Sequence, residues 1–197
     1  MSWWQNFVQV NSYDFTKEKY TQLLKALQDR GFFFMIFEQF IQSPRDRFVI
    51  LRHDVDKLPE NSLLTAQIEN DLGIKGTYYF RAVPESYDEK IIRQIAELGH
   101  EIGYHYENLT TTKGNLQLAI EDFRSNLEML RKLYPVKTIC MHGSPLSKYD
   151  NRKMWEEYDY RDFGLIGEPY FDVNFSEVLY LTDTGRRWDG FDFSVRV

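Results

Sequence analysis

The stretch Phe48-Val49-Ile50-Leu51-Arg52-His53-Asp54-Val55-Asp56 decides the fold, because an apolar run that ends in two acids reads as a strand with a polar C-terminal end. Side chains alternate across a strand, so Arg52, Asp54 and Asp56 point one way while His53 and Val55 point the other. Two carboxylates sharing a small space repel unless a cation sits between them or one takes up a proton, and either condition serves catalysis. The plain alternative is helix capping, since Pro59 suits a first helical position and Asp56 lies just upstream. A D-x-D pair alone does not separate the two readings.

Working outward, residues 14–30 place Tyr20, Leu23, Leu24 and Leu27 on one helical face, with Asp14 or Thr16 as cap and Gly31 as stop. Residues 32–37 predict a strand buried on both faces. Downstream, Leu64, Ile68 and Leu72 recur every four positions in a helix that starts at Pro59 and stops at Gly73. Residues 77–83 are β-branched and aromatic and predict a strand that Pro84 closes, with Arg81 near its end. Ser86 and Glu89 form a capping box for a helix carrying Ile91, Ile95 and Leu98 inward, stopped by Gly99. Residues 100–107 predict a strand with Glu101, Gly103, His105 and Glu107 on one face. Leu116, Ile120, Phe123, Leu127, Leu130 and Tyr134 mark a long helix, followed by a strand over 138–142 that leaves His142 at its edge. Beyond Ser147 the pattern weakens to a short helix over 151–158 and strands at 165–166 and 178–181. The alternation predicts an α/β fold, a distorted and incomplete (β/α) barrel of about seven mostly parallel strands. No repeat or linker divides the chain, so residues 1–197 are expected to form one domain, and the end at Val197 soon after a strand leaves room for a missing C-terminal segment.

With 43% apolar and 16% aromatic residues, the chain has the material for a core. The net charge of −6 and the lack of a Lys/Arg cluster argue against a nucleic-acid surface. Cys140 is the single cysteine, which excludes an intrachain disulfide framework. The N-terminus lacks the pattern of a signal peptide, and the apolar block at 32–37 is too short to span a bilayer, so a cytoplasmic protein without a membrane anchor is expected. A neutral or weakly charged partner fits this balance, and the oligomeric state is left open.

Asp54, Asp56, Arg81, His105, Glu107, His142 and Asp183 all fall at or just past C-terminal strand ends, where α/β barrels build active sites. Carboxylate oxygen and imidazole nitrogen suit a divalent cation, with three protein ligands and a water at a catalytic site. Asp56, His105 and His142 supply such a set. His53 and His100 are expected to be hydrogen-bonded structural residues instead.

The run from Arg52 to Asp56, taken with Gly99-His100-Glu101-Ile102-Gly103-Tyr104-His105, resembles the polysaccharide deacetylases, the nodulation-protein-B-like or carbohydrate esterase family 4 group. The resemblance covers roughly residues 48–145. It implies a metal-dependent hydrolase that removes an N-acetyl group from an amino sugar or a surface-polysaccharide precursor, with Asp54 as base, Asp56 and His105 on the metal, and zinc, nickel, cobalt or iron as the ion. Leu109 stands where that family has a second metal histidine, which leaves His142 or Glu107 as third ligand. His142 serves as general acid if it does not ligate. Arg52, Arg81 and Tyr149 are substrate-binding candidates, and Tyr78, Trp155 and Trp188 are further aromatic residues that could stack on a sugar ring. The alternative is a catalytically impaired carbohydrate-binding module on the same fold, which the missing histidine favours. A third class, nucleotide-bound metal chemistry, lacks the Gly-rich phosphate loop it would need.

Overall fold

The structure, a computed structural model, describes residues 16–143 and 147–182. It opens with α1 (Lys17–Asp29), which Thr16 caps through its side chain and which ends at Gly31 with φ of 73°. There follow β1 (Phe33–Met35), α2 (Phe37–Gln42), β2 (Phe48–Ile50), β3 (Arg52–Val55), α3 (Pro59–Asp71), β4 (Thr77–Phe80), α4 (Glu89–Glu97), β5 (Glu101–Tyr106), α5 (Asn108–Thr111), α6 (Leu116–Arg131) and β6 (Ile139–Met141). Two 3₁₀ turns, Asn151–Glu156 and Tyr160–Phe163, lead to α7 (Pro169–Asp172).

Every strand pairing among the described residues is parallel: β1 with β2, and β3, β4, β5 and β6 side by side in chain order as a curled half-barrel. Only Leu51 separates β2 from β3, and its carbonyl accepts from Thr77 N, so the chain steps from one sheet to the other without a turn. The expected seven strands become six among the described residues. The 165–166 segment makes only a bridge, Thr138 to Gly167, and the 178–181 segment makes no strand. Leu179 there is 84% exposed, and an extended run that buries so little has nothing to offset its ordering entropy.

Three local readings are corrected. Residues 32–37 hold a three-residue strand with Phe33 exposed, because Phe37 N donates to Thr77 Oγ1 and Glu38 N to Glu101, which satisfies the first amides of α2 and ends the strand early. The cap of α4 is Asp88, whose carboxylate accepts from Ile91 N; Ser86 instead accepts from Arg81 N and donates to Val55 O, clamping the ends of β3 and β4 together. On α3 the buried residues are Pro59, Ala66 and Glu69, while Leu64 is exposed. Glu69 turns inward because donors await it: Tyr20 Oη at 2.5 Å, His53 Nε2 at 2.6 Å and Tyr78 Oη at 2.9 Å. His53 is therefore the hydrogen-bonded residue expected. So is His100, whose Nδ1 accepts from Gly76 N and whose Nε2 donates to Ala66 O.

The two faces of the sheet differ. Outward, Tyr78, Phe80, Ile102, Tyr104, Tyr106 and Ile139 meet Ile92 and Ile95 of α4 and Phe123, Leu127 and Leu130 of α6 in the main core. Inward, the barrel is polar. Glu101 sits at its N-terminal end and accepts from Thr77 Oγ1, Thr138 Oγ1 and Glu38 N. Above it, the ring of Tyr79 lies across Gly103 so closely that a Cβ there would stand 2.3 Å from it. The interior is thus filled below, and chemistry is left to the C-terminal strand ends. No helix among the described residues is long and apolar enough to cross a membrane.

Candidate metal centre

Strand β3 delivers Arg52 and Asp54 inward and His53 and Val55 outward, as alternation requires: Arg52 Nη2 donates to Asp54 Oδ2 at 3.0 Å, His53 reaches Glu69, and Val55 is core. Asp56, one residue past the strand, does not cap α3; Leu58 occupies the N-cap position in left-handed geometry without any side-chain cap. The side chain of Asp56 is free to turn to the barrel axis.

There it meets the two histidines. Asp56 Oδ1 lies 3.0 Å from His142 Nδ1 and 3.5 Å from His105 Nε2, and the two ring nitrogens are 3.1 Å apart. His105 is buried at the end of β5, and its Nδ1–H donates to Cys140 O at 2.9 Å on the neighbouring strand. That bond fixes the tautomer and leaves Nε2 with its lone pair aimed at the cluster, the arrangement metal-binding histidines use. His142 follows β6 directly; its own amide donates to Tyr106 O, and its carbonyl accepts from Asn151 Nδ2 at 3.3 Å.

Three acceptor-rich atoms this close are costly to gather without a cation or added protons. A tetrahedral ion with bonds of about 2.1 Å separates its ligand atoms by about 3.4 Å, so the observed triangle fits one in chemistry and spacing. Asp56 is 53% exposed, which keeps one side of the cluster open. Burial raises its pKa, but the imidazoles of His105 and His142 beside it outweigh that and hold the carboxyl well below the usual range, in its ligating form.

Asp54 stands alongside. A carboxylate oxygen of Asp54 lies within 4.8 Å of a ring nitrogen of His105 and of the buried Cys140 Sγ. Its Oδ2 is anchored by Arg52, whereas its Oδ1 is buried with no hydrogen-bond partner among the described residues. The two acids of the motif thus have different partners, Arg52 for Asp54 and the histidine pair for Asp56.

The other candidates are placed as follows. Glu107 pairs with Arg81 at 2.7 Å and lies outside the donor triangle; Arg81 also donates to Asp56 O at 3.1 Å, which steadies the loop carrying that ligand. Leu109, where a second histidine would stand, is buried in the main core, so that position faces packing. Arg52 is committed to Asp54, to Tyr180 Oη at 3.1 Å and to the face of Tyr170. Tyr149 packs against Gly114. Tyr78 is fully buried on the outer face, bonded to Glu69 and stacked on His53, and so offers no surface to a sugar. Trp155 is half-buried among Tyr106, Phe123 and Tyr160. Asp183 and Trp188 lie outside the described residues. Tyr170 and Tyr180, which hold Arg52 from two sides, went unnoticed in the sequence because they sit in its least periodic part, where no spacing ties them to β3.

No protein-family model matches the sequence, and no curated protein does. Among solved structures, the chain is similar to IcaB from Ammonifex degensii, with a TM-score of 0.52 and 12% identity over 71% of each chain. The fold is that of a polysaccharide deacetylase. A second similar structure is the Xyl-CE4 domain of a multidomain xylanase from the hindgut metagenome of Trinervitermes trinervoides, with 17% identity, a TM-score of 0.42, and 56% of this chain and 53% of that one covered. The similarity to the IcaB structure shows the fold alone, and activity must be argued from the site.

Proposed function

We propose that the chain is a metal-dependent deacetylase that removes the N-acetyl group from an amino sugar or a polysaccharide precursor. The observation that carries this reading is the donor triangle of Asp56 Oδ1, His105 Nε2 and His142 Nδ1 beside an anchored, half-unpartnered Asp54. Those three residues would hold the ion, zinc in the first instance. A divalent cation bound there supplies Lewis-acid polarisation of the acetyl carbonyl and lowers the pKa of a bound water to about 7 in the best cases.

The rest is done by the chain. Asp54, with Oδ2 fixed by Arg52 and Oδ1 unpartnered, takes the proton of the attacking water as oxygen bonds to the acetyl carbon. The same carboxyl then returns that proton to the departing nitrogen as the C–N bond breaks, giving acetate and a free amine. His142 is assigned to ligation in this reading, because its Nδ1 faces Asp56 and His105. Arg81 keeps Glu107 occupied and so leaves the third ligand position to His142.

Acetate release from N-acetylglucosamine and its oligomers by zinc-loaded protein tests the reading. Asp54→Asn, which keeps the shape of the side chain and removes its basicity, should lower kcat by about 10²–10⁴-fold with zinc content unchanged. Metal-loaded protein that releases no acetate from any N-acetylated sugar would leave a binding module on a deacetylase fold.

A further inference from the structure

Asp54 stands two residues before Asp56 at the end of β3, and Cys140 two residues before His142 at the end of β6. Strand alternation therefore sets a second acid and a thiol one step below the donor triangle, on the same inward faces. A carboxylate oxygen of Asp54, a ring nitrogen of His105 and Cys140 Sγ all lie within 4.8 Å of one another. This lower set offers oxygen, nitrogen and sulfur, where the triangle offers oxygen and two nitrogens. Sulfur changes the ion that fits.

The donors have capacity to spare. Asp54 gives Oδ2 to Arg52 and keeps Oδ1 buried and without a hydrogen-bond partner among the described residues. A buried acceptor left in that state costs free energy that a cation would return. Cys140 is fully buried against Phe37 and Tyr79, and its thiol makes a long contact, 3.8 Å to Met141 O. The side chain of Asp54 is 26% exposed, which opens the set to the barrel mouth. His105 has one lone pair to give, because Nδ1–H donates to Cys140 O. An ion in the lower set thus takes His105 away from the triangle, and the two occupancies exclude one another.

Thiolate sulfur is a soft donor and favours a polarisable cation. Zinc is borderline in this respect, and the carboxylate and two imidazoles of the triangle already suit it. A softer divalent ion such as cadmium gains most from the sulfur. Its binding forms the metal–sulfur bond as the S–H bond breaks, and the proton passes to solvent. A tetrahedral ion with bonds of about 2.1–2.3 Å separates its donors by about 3.4–3.8 Å. Atoms within 4.8 Å close on such an ion with side-chain movements on the order of 1 Å.

We propose that Asp54, His105 and Cys140 form a second metal site, which takes thiophilic cations and in doing so withdraws Asp54 from catalysis. The site stands on the donor geometry; the effect on catalysis rests on the deacetylase reading. Cys140 is the single cysteine, so a thiolate-to-metal charge-transfer band reports this site alone. The test is a cadmium titration of the metal-free full chain, followed by that ultraviolet band, in wild type, Asp56→Ala, Asp54→Asn, Cys140→Ser and Cys140→Ala. The band should saturate at about one cadmium per chain in wild type and Asp56→Ala, and be absent from both Cys140 variants. In Asp54→Asn the affinity read from the band should fall about ten-fold or more, and in Asp56→Ala cadmium should bind about ten-fold or more tightly than zinc. Zinc-loaded wild type should release its zinc to a chromogenic chelator as the band grows, because both ions need His105. Cadmium that does not bind, or binds without the band, overturns the site. So does a band of undiminished affinity in Asp54→Asn, or zinc that stays in place while the band forms. A band that behaves as expected in a protein that releases no acetate counts against the deacetylase reading alone.

Discussion

Replacing Gly103 by Ala tests how tightly the barrel interior is built beneath the site. The added methyl would stand 2.3 Å from both Cδ1 and Cε1 of Tyr79 and 3.0 Å from Thr138 O. Ordinary carbon contacts lie at about 3.5–4.0 Å, so the ring or the strand must move by more than about 1 Å. The ring has no room to yield. Tyr79 is fully buried and its hydroxyl donates to Thr138 Oγ1 at 3.2 Å, while the other close neighbour is main chain of the adjoining segment. Overpacking of this kind costs about 1–3 kcal/mol, and the upper end applies where backbone blocks relief. Gly103 has no positive φ, so alanine there regains roughly 0.5–1 kcal/mol of chain entropy. The net loss is about 2 kcal/mol. For a domain of 150–250 residues that lowers Tm by about 4–8 °C. Thermal unfolding followed by circular dichroism in chelator, so that bound metal does not shift the transition, measures it. In a Tyr79→Leu background, which removes the ring, the same substitution should cost less than half as much. An unchanged or higher Tm for Gly103→Ala would refute the packing of Tyr79 over this strand.

Three further outcomes follow. His142→Ala should lose most of its bound zinc whereas Glu107→Ala keeps it, because Glu107 belongs to Arg81; elemental analysis of the pair decides the third ligand. Arg52→Met should cut kcat for acetate release by at least ten-fold with KM little changed, since it frees Asp54 Oδ2 and leaves the donor triangle intact; steady-state kinetics at saturating zinc check this. Burial pushes Glu168 up to about 7 from 4.5, against the pull of the Met141 and Tyr170 amides that donate to it. A carboxyl whose folded pKa is raised stabilises the fold fully below its unfolded pKa, and that contribution is lost as pH rises to about 7. Wild-type Tm should therefore fall between pH 4.5 and 7 through this group, and Glu168→Gln should flatten the fall while lowering Tm overall, because an amide accepts from only one of the two backbone donors.

What the sequence made legible is what local periodicity encodes. Strand alternation at Arg52 to Val55 sent Asp54 inward and His53 to a structural role, and the spacing of Leu116 to Leu130 located α6. His105 and His142 were placed at strand ends and do lie together there. Features set by tertiary partners were not legible. Glu69 reads as a solvent-facing helical residue until Tyr20, His53 and Tyr78 are seen to converge on it. The strand expected over 32–37 stops at Met35 because two distant side chains, Thr77 and Glu101, take up the first amides of a helix there. Arg52 looked open to substrate, yet Tyr170 and Tyr180, more than a hundred residues away in sequence, enclose it.

The central claim is that Asp56, His105 and His142 hold one catalytic divalent ion. Elemental analysis of the purified chain after zinc loading and desalting, compared with Asp56→Ala and His105→Ala, tests it most directly. The account predicts about one zinc per wild-type chain and at most a small fraction of that in either variant, with both variants still folded. Wild type that binds no zinc, nickel or cobalt, or variants that retain a full equivalent, would contradict it.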